Sequence, residues 1–476
     1  MTSSDRRRGL LEGRMSRRKL LETGAVAAMG VAGAGLAGCS SDGASQSGTT
    51  PPASATSAAV VSTPDAQTAA LAMGATLTGD PTGIGEVAPG TIFFPYFGNV
   101  TALLTDDGIV IVDTSLLGNG PPIVEELRKR TDLAVKAIIY THGHIDHVGG
   151  TADFVKDADE RGYERPRIYG HENVVPRFQR YERMAPWIRF INSIQFGVPV
   201  DADAPPAPKP VFAYPTDTFD ERYDLSVDGE SFELVHGIGE TDDHLFVWAP
   251  ERKVVCTGDF FIWACPNVGN PWKVQRYAEG WADGLDAIAA LRPSTFIPGH
   301  GPVIHGEEAV QTACSDVSRY LRSIAEQVVE RMNKGQWLEQ ILREVEPPAD
   351  LTGKPYLQAV YGHPKFIVHG VWRQYGGWYD GNPADFFPAP TVDQATEIVR
   401  LAGVAGLLNR ARDLQTIGDL PLACHLVDWV CKVEPENAEA RNLQRDLFAA
   451  RSVIEGNMMS RNTFKGAAAE AEKHLS

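Results

Sequence analysis

One heptapeptide constrains this chain more than any other segment: Thr141-His142-Gly143-His144-Ile145-Asp146-His147. It packs three imidazoles and a carboxylate into six residues, directly after the apolar run Val135–Tyr140. That run reads as a buried strand, so the cluster sits on the loop at a strand end. His142 and His144 alternate, which lets both face one side and share a metal ion. Asp146 and His147 then turn toward a second ion. Nitrogen and oxygen donors of this kind suit Zn²⁺ best, with Mn²⁺ or iron as other occupants. A His-x-His pair alone is a weak sign, because surface histidines produce it too.

A two-metal site needs further ligands, and the sequence supplies them in order. His244 starts the apolar run Leu245–Trp248, Asp259 follows Val254–Thr257, and His300 follows Thr295–Ile297. Each stands at the end of a predicted strand, where one sheet edge can gather them. Ile109–Val112, ending in Asp113, and Ser231–Val235 read as further strands, with helices over Pro121–Arg130 and Trp281–Leu291. Strands with interspersed helices predict a layered α/β fold. A long helical pattern follows over Val317–Val345, stopped by Pro347-Pro348. Residues 361–390 are dense in Gly, Pro and aromatics, and everything from Val392 onward has helical periodicity. Within it, Leu407–Leu447 resembles one tetratricopeptide-type helix pair, without a third copy.

Asp113, the histidine loop, His244, Asp259 and His300 resemble, in order and spacing, the five motifs of the metallo-β-lactamase superfamily. The resemblance implies an αββα sandwich with a two-metal site at one edge between the sheets. It implies that His142, His144 and His244 hold one ion, that Asp146, His147 and His300 hold the other, and that Asp259 bridges them. Asp113 then orients the metal-binding loop rather than binding metal. Two divalent ions lower the pKa of a shared water, which Asp146 can orient, so the implied reaction class is hydrolysis. Glu240, in Gly239-Glu240-Thr241-Asp242-Asp243-His244, is read as a partner behind the ligands or as a turn cap.

The bridging Asp259 sets the chain apart from the antibiotic-hydrolysing enzymes, and His144 from the iron-type redox relatives. Tyr375-Gly376-Gly377-Trp378-Tyr379-Asp380-Gly381-Asn382-Pro383-Ala384, followed by helices, resembles the alkyl sulfatase branch with its dimerisation region. That branch tends to carry Glu where His244 and Asp259 stand, and grips sulfate with an Arg in an Arg-Gly pair. Here the corresponding stretch is Cys265–Lys273, so Lys273 or Arg276 is the expected substitute, with Arg373 and Tyr375 as further pocket candidates. Lys is the less geometric clamp for an oxyanion. No counterpart of the sterol-carrier-like domain of that branch is recognised.

The first residues read as an address. Ser16-Arg17-Arg18-Lys19-Leu20-Leu21 resembles a twin-arginine export signal, with Met1 or Met15 as the start. The small and apolar run Gly24–Gly38 is too short to span a membrane. Leu36-Ala37-Gly38-Cys39 resembles a lipobox, making Cys39 the acylation site and a lipid anchor the one membrane contact. Residues 1–38 carry a net +4, which leaves −21 for the rest of a chain whose total is −17. So acidic a body argues against a nucleic-acid surface. Cys256, Cys265, Cys314, Cys424 and Cys431 lack Cys-x-x-Cys spacing, and their odd count forbids full pairing.

The expected organisation is a signal peptide (1–38), a linker (39–75), a catalytic domain (76–315) and a helical region (316–476), with dimerisation helices over 391–476. The expected function is an exported, homodimeric, binuclear zinc hydrolase acting on sulfate esters of small apolar molecules. The alternatives are a lactonase or other carboxylic or phosphoric ester hydrolase, and a metal-containing binding protein without turnover.

Overall fold

The computed structural model describes residues 81–198 and 210–475. The expected signal peptide, the linker and Cys39 lie outside the described residues. Among the described residues, thirteen strands form two sheets. The first holds β1 (Gly85–Ala88), β2 (Thr91–Phe94), β3 (Val100–Leu104), β4 (Ile109–Val112), β5 (Val135–Ile139), β6 (Arg167–His171) and β7 (Asp217–Phe219), in that spatial order. The second runs β13 (Ile304–His305), β12 (Thr295–Pro298), β11 (Val254–Gly258), β10 (Leu245–Ala249), β9 (Glu230–His236), β8 (Arg222–Val227).

Strand patterning dictates the layers. In β4, Val110 and Val112 face the second sheet, where they pack with Leu234, Leu245, Val247, Val254 and Ile297. Ile109 and Ile111 point the other way. There they meet Ile123 and Leu127 of α1 (Gly120–Arg128), Phe154 of α3 (Thr151–Arg161) and Phe178 of α4 (Val174–Arg183). Between α1 and α3 lies the single turn α2 (Ile145–Val148). Strands covered on both faces must be apolar throughout, as Ile-Val-Ile-Val is. The second sheet's outer face buries Phe246, Trp248, Val255 and Phe296 against Trp281, Leu285 and Ile288 of α6 (Ala278–Ala290) and Val317, Leu321 and Val328 of α7 (Glu307–Asn333). The result is the αββα sandwich expected from the motifs, followed by helices.

Two boundaries differ from expectation. The single helix expected over Val317–Val345 is two helices, because Gly335 (φ 78°) turns the chain between α7 and α8 (Leu338–Glu344). A left-handed residue ends a helix, and glycine takes that conformation without a Cβ clash. The expected division at 315/316 falls inside α7, whose apolar stripe belongs to the sandwich core. That core extends further, to Ile367, Val371 and Trp372 of α9 (Pro364–Gly376).

The remaining helices are α5 (Ala185–Phe196), which follows α4, and α10 (Thr391–Ala402), α11 (Val404–Thr416), α12 (Leu420–Val433), α13 (Ala438–Ile454) and α14 (Met458–Lys473). Asp419, Asn437 and Asn457 cap α12, α13 and α14 through their side chains. α10 to α13 share a core of their own around Leu408, Ala411, Val427, Val430 and Leu447. All five described cysteines are buried and unpaired. No helix among the described residues is long and apolar enough to cross a membrane.

The topology fixes where chemistry can sit. β4 and β5 are parallel, and so are β11 and β12. Their C-terminal ends release Asp113, the histidine loop, Asp259 and His300 at one edge of the sandwich, the place where α/β sheets bind ligands. The backbone N–H of Leu245 donates to Thr141 O at 2.8 Å and ties the two sheets together there.

Candidate metal centre

Two groups of donors converge on this edge. His142, His144, Glu240 and Asp259 form one, and Asp146, His147 and His300 the other. Within each, one ligand atom per residue lies within 4.8 Å of all the rest. Asp259 reaches both groups. Its Oδ2 stands 3.8 Å from His142 Nε2, and its Oδ1 stands 3.2 Å from His147 Nε2 and 3.5 Å from His300 Nε2. Asp146 Oδ2 lies 3.4 Å from His300 Nε2.

Asp113 organises the imidazoles from below. Its Oδ1 accepts the Thr141 backbone N–H at 2.8 Å, and its Oδ2 accepts the Thr141 hydroxyl at 2.7 Å. The same Oδ2 takes the Nδ1–H of His147 at 2.8 Å. Since the Thr141 hydroxyl donates to Asp113, it accepts from His142 Nδ1 at 3.1 Å. Both imidazoles are thereby left with a lone pair on Nε2, aimed at the cluster. The loop is clamped from the other side by Asp243, whose Oδ2 accepts from Gly143 N–H at 2.9 Å and Arg177 Nε at 2.8 Å.

The structure exchanges the places expected for His244 and Glu240. His244 lies outside both donor groups. Its Nδ1 accepts the backbone N–H of Glu240 at 3.1 Å, which leaves the proton on Nε2. Its ring is stacked between His142 and Phe260, with centroids 4.6 and 4.2 Å away. Glu240 instead turns Oε2 to His144 Nδ1 at 3.3 Å and to His142 Nε2 at 4.0 Å. Its Oε1 accepts from Arg276 Nη1 at 2.6 Å and Asn267 Nδ2 at 2.7 Å. The imidazole expected in place of a carboxylate is therefore backed by a carboxylate four residues earlier.

The electrostatics are those of a cation site. Burial raises Asp259 to about 7, with Glu240 adding to the rise against His147 and His300. Burial opposes a charge on His147, but Asp259, Asp113 and Asp146 outweigh it and lift that imidazole well above its usual range. His142 falls well below, through burial and the neighbouring histidines. His147 Nε2 and Asp259 Oδ1 are buried without a hydrogen-bond partner and face each other. Burying three carboxylates and orphaned donor atoms this way is costly unless positive charge is bound. The residues present fit divalent ions with nitrogen and oxygen ligands.

A facing wall comes from distant parts of the chain. Lys273 Nζ donates to Asn192 Oδ1 at 2.7 Å, on α5 (Ala185–Phe196). Burial and the charge of Arg276 lower its pKa to about 8. Arg276 is buried and spent on Glu240 and the Asn267 carbonyl. Arg373 and Tyr375, expected in the pocket, are exposed and bond Gln275 and Glu279, outside both donor groups. The loop carrying Asn267 is backed by α9. A Cβ on Gly269 would lie 1.4 Å from Phe366 O, so only glycine fits there. Tyr361 escaped sequence reasoning. Burial raises its pKa, and the charges of Glu240, Asp146 and Asp259 add to the rise against Arg276.

Residues 94–300 match the metallo-beta-lactamase superfamily, and residues 338–474 match the alkyl sulfatase dimerisation family, which begins earlier than the expected residue 391. The chain carries both domains, and the curated relatives it resembles along most of its length are alkylsulfatases. It is 27% identical over 388 residues to the linear primary-alkylsulfatase of Pseudomonas sp. (strain ATCC 19151), covering 78% of this chain and 73% of that one. It is also 27% identical over 395 residues to the (R)-specific secondary-alkylsulfatase of Pseudomonas sp, covering 78% and 59%. The solved structure of the stereoselective inverting sec-alkylsulfatase Pisa1 from Pseudomonas sp. superposes with a TM-score of 0.73 at 24% identity, over 83% of this chain and 66% of that one.

Proposed function

We propose that this protein hydrolyses sulfate esters of apolar, alkyl-type alcohols with two divalent metal ions, best suited to Zn²⁺. One ion is assigned to His142, His144, Glu240 and Asp259, and the other to Asp146, His147, His300 and the far oxygen of Asp259. The observation that carries this is Asp259, which turns one oxygen to each donor group. The printed names of the relatives support alkyl sulfates as the substrate class.

When bound, the ions acidify a water molecule and draw charge from an ester oxygen. The chain's own residues do the rest. Asp113 and Thr141 hold His142 and His147 in the tautomers that free Nε2. Asp146 would orient the attacking water. Lys273, held by Asn192, supplies local positive charge for the sulfate group on an otherwise acidic chain. Trp187 and Phe190 of α5 give apolar surface within about two helical turns of Asn192.

The test is sulfate release from an alkyl sulfate, run beside a lactone panel, before and after chelation. Alkyl sulfate turnover that chelation abolishes and Zn²⁺ restores is the expected result. Turnover of lactones alone would favour the carboxylic ester reading, and bound metal with no turnover would favour the binding protein. We also propose export by the twin-arginine signal, anchoring at Cys39, and homodimerisation through the helical region. Replacing Arg17 and Arg18 by Lys is expected to hold the protein in the cytoplasm, and normal export of that variant would overturn the signal assignment.

A further inference from the structure

We propose that Gln195 and Asn462 are positioning residues that hold Tyr361 beside the metal ligands, so that α14 sets part of the substrate wall. The inference rests on the sulfate ester reading above. Tyr361 is placed there by its neighbour: Gly362 packs so closely on the loop that a Cβ would lie 2.8 Å from Cys265 O and 3.6 Å from the Asn267 Cα. Asn267 in turn bonds Glu240. The Tyr361 hydroxyl accepts from Gln195 Nε2 at 2.5 Å. A phenol that accepts there keeps its own proton for another partner, and it stands near enough to Glu240, Asp146 and Asp259 to feel their charge.

Gln195 is fully buried at the end of α5, and its Oε1 has no hydrogen-bond partner. An amide held at that cost has been fixed from outside. The fixing groups come from α14. Asn462 Nδ2 donates to Gln195 O at 2.9 Å, and the Met458 backbone N–H donates to Val360 O at 2.8 Å. One helix therefore grips both sides of the Gln195–Tyr361 contact. Nothing in the local sequence around Gln195 or Asn462 links them, since they stand 267 positions apart.

The test is a double-mutant cycle on the metal-loaded protein with an alkyl sulfate, with metal content and thermal midpoint measured for each variant. Tyr361→Phe is expected to lower kcat/KM on the order of tenfold to a hundredfold with metal content unchanged. Gln195→Met, which keeps volume, is expected to cost about tenfold alone but less than about twofold in the Tyr361→Phe background. Losses that multiply in the double variant would overturn the proposal, because Gln195 would then act apart from Tyr361. A second arm needs no turnover: Asn462→Leu is expected to raise amide exchange within 185–196 and 358–363. Unchanged exchange there would sink the clamp. If the unaltered protein releases no sulfate, the proposed function fails, and the exchange arm alone then decides whether Asn462 holds this wall.

Discussion

The ligand edge and the wall facing it are built in opposite ways. At the edge, most ligands leave strand ends, and the histidine loop is oriented by Asp113 at the end of the adjoining parallel strand and clamped by Asp243. Asp113 bonds Thr141 and His147, 28 and 34 positions away. At the wall, Lys273 meets Asn192, Gln195 meets Tyr361, and Asn462 meets Gln195, from elements that no strand pairing joins. The edge supplies reaction chemistry that many folds of this type share. The wall is where substrate choice has room to vary, because loops and helices placed by tertiary packing tolerate change.

That contrast can be broken most forcefully at its centre. Asp259→Ala removes the carboxylate shared by both donor groups. Turnover is expected to drop on the order of a thousandfold or more, together with loss of bound metal. Retention of full metal content by metal analysis would mean that the two groups are independent.

The next test separates neighbours within the edge. Glu240→Ala is expected to strip the ion assigned to His142 and His144 and to lower turnover on the order of a hundredfold or more. His244→Leu is expected to keep both ions and to cost about tenfold, through loss of the stack behind His142. The reverse ranking would restore His244 as the ligand. Asp113→Asn sits one step further out. It keeps the shape but weakens the acceptor shared by His147 and Thr141, and metal affinity is expected to fall about tenfold to a hundredfold by competition with a chelator.

The smallest expected effect lies on the wall and depends on pH. Lys273 has its pKa lowered to about 8 by burial and by Arg276, so it is charged below that pH and neutral above it. KM for an alkyl sulfate is expected to stay flat up to that point and to rise several-fold, about tenfold at most, beyond it. Lys273→Arg should carry the rise to higher pH, and Lys273→Met should remove it. A pH profile of KM identical in all three proteins would remove Lys273 from sulfate recognition.

The same contrast explains what the sequence disclosed. β4, β5, β10, β11 and β12 were readable to within a residue or two because their apolar runs are short and begin or end beside a ligand or its partner. The histidine loop, Asp259 and His300 followed from those ends. Glu240 and His244 were not separable by pattern: both precede β10 by a few residues, and only the turn of the backbone between β9 and β10 decides which carries its side chain to the cluster. The break in the long helix was written as Lys334-Gly335-Gln336, yet the apolar periodicity runs through it, so period outweighed punctuation. Tyr361 and Gln195 left no such trace, since their pairing exists only once α9 and α14 have packed against the sandwich.

The central claim is that seven residues, Glu240 among them and His244 not, hold two ions bridged by Asp259. Anomalous scattering at the zinc edge, from crystals of the zinc-loaded protein, tests it directly. The expected map has two peaks, one among His142, His144 and Glu240 and one among Asp146, His147 and His300, with Asp259 touching both. A single peak, or one seated on His244 with Glu240 turned away, would contradict the account.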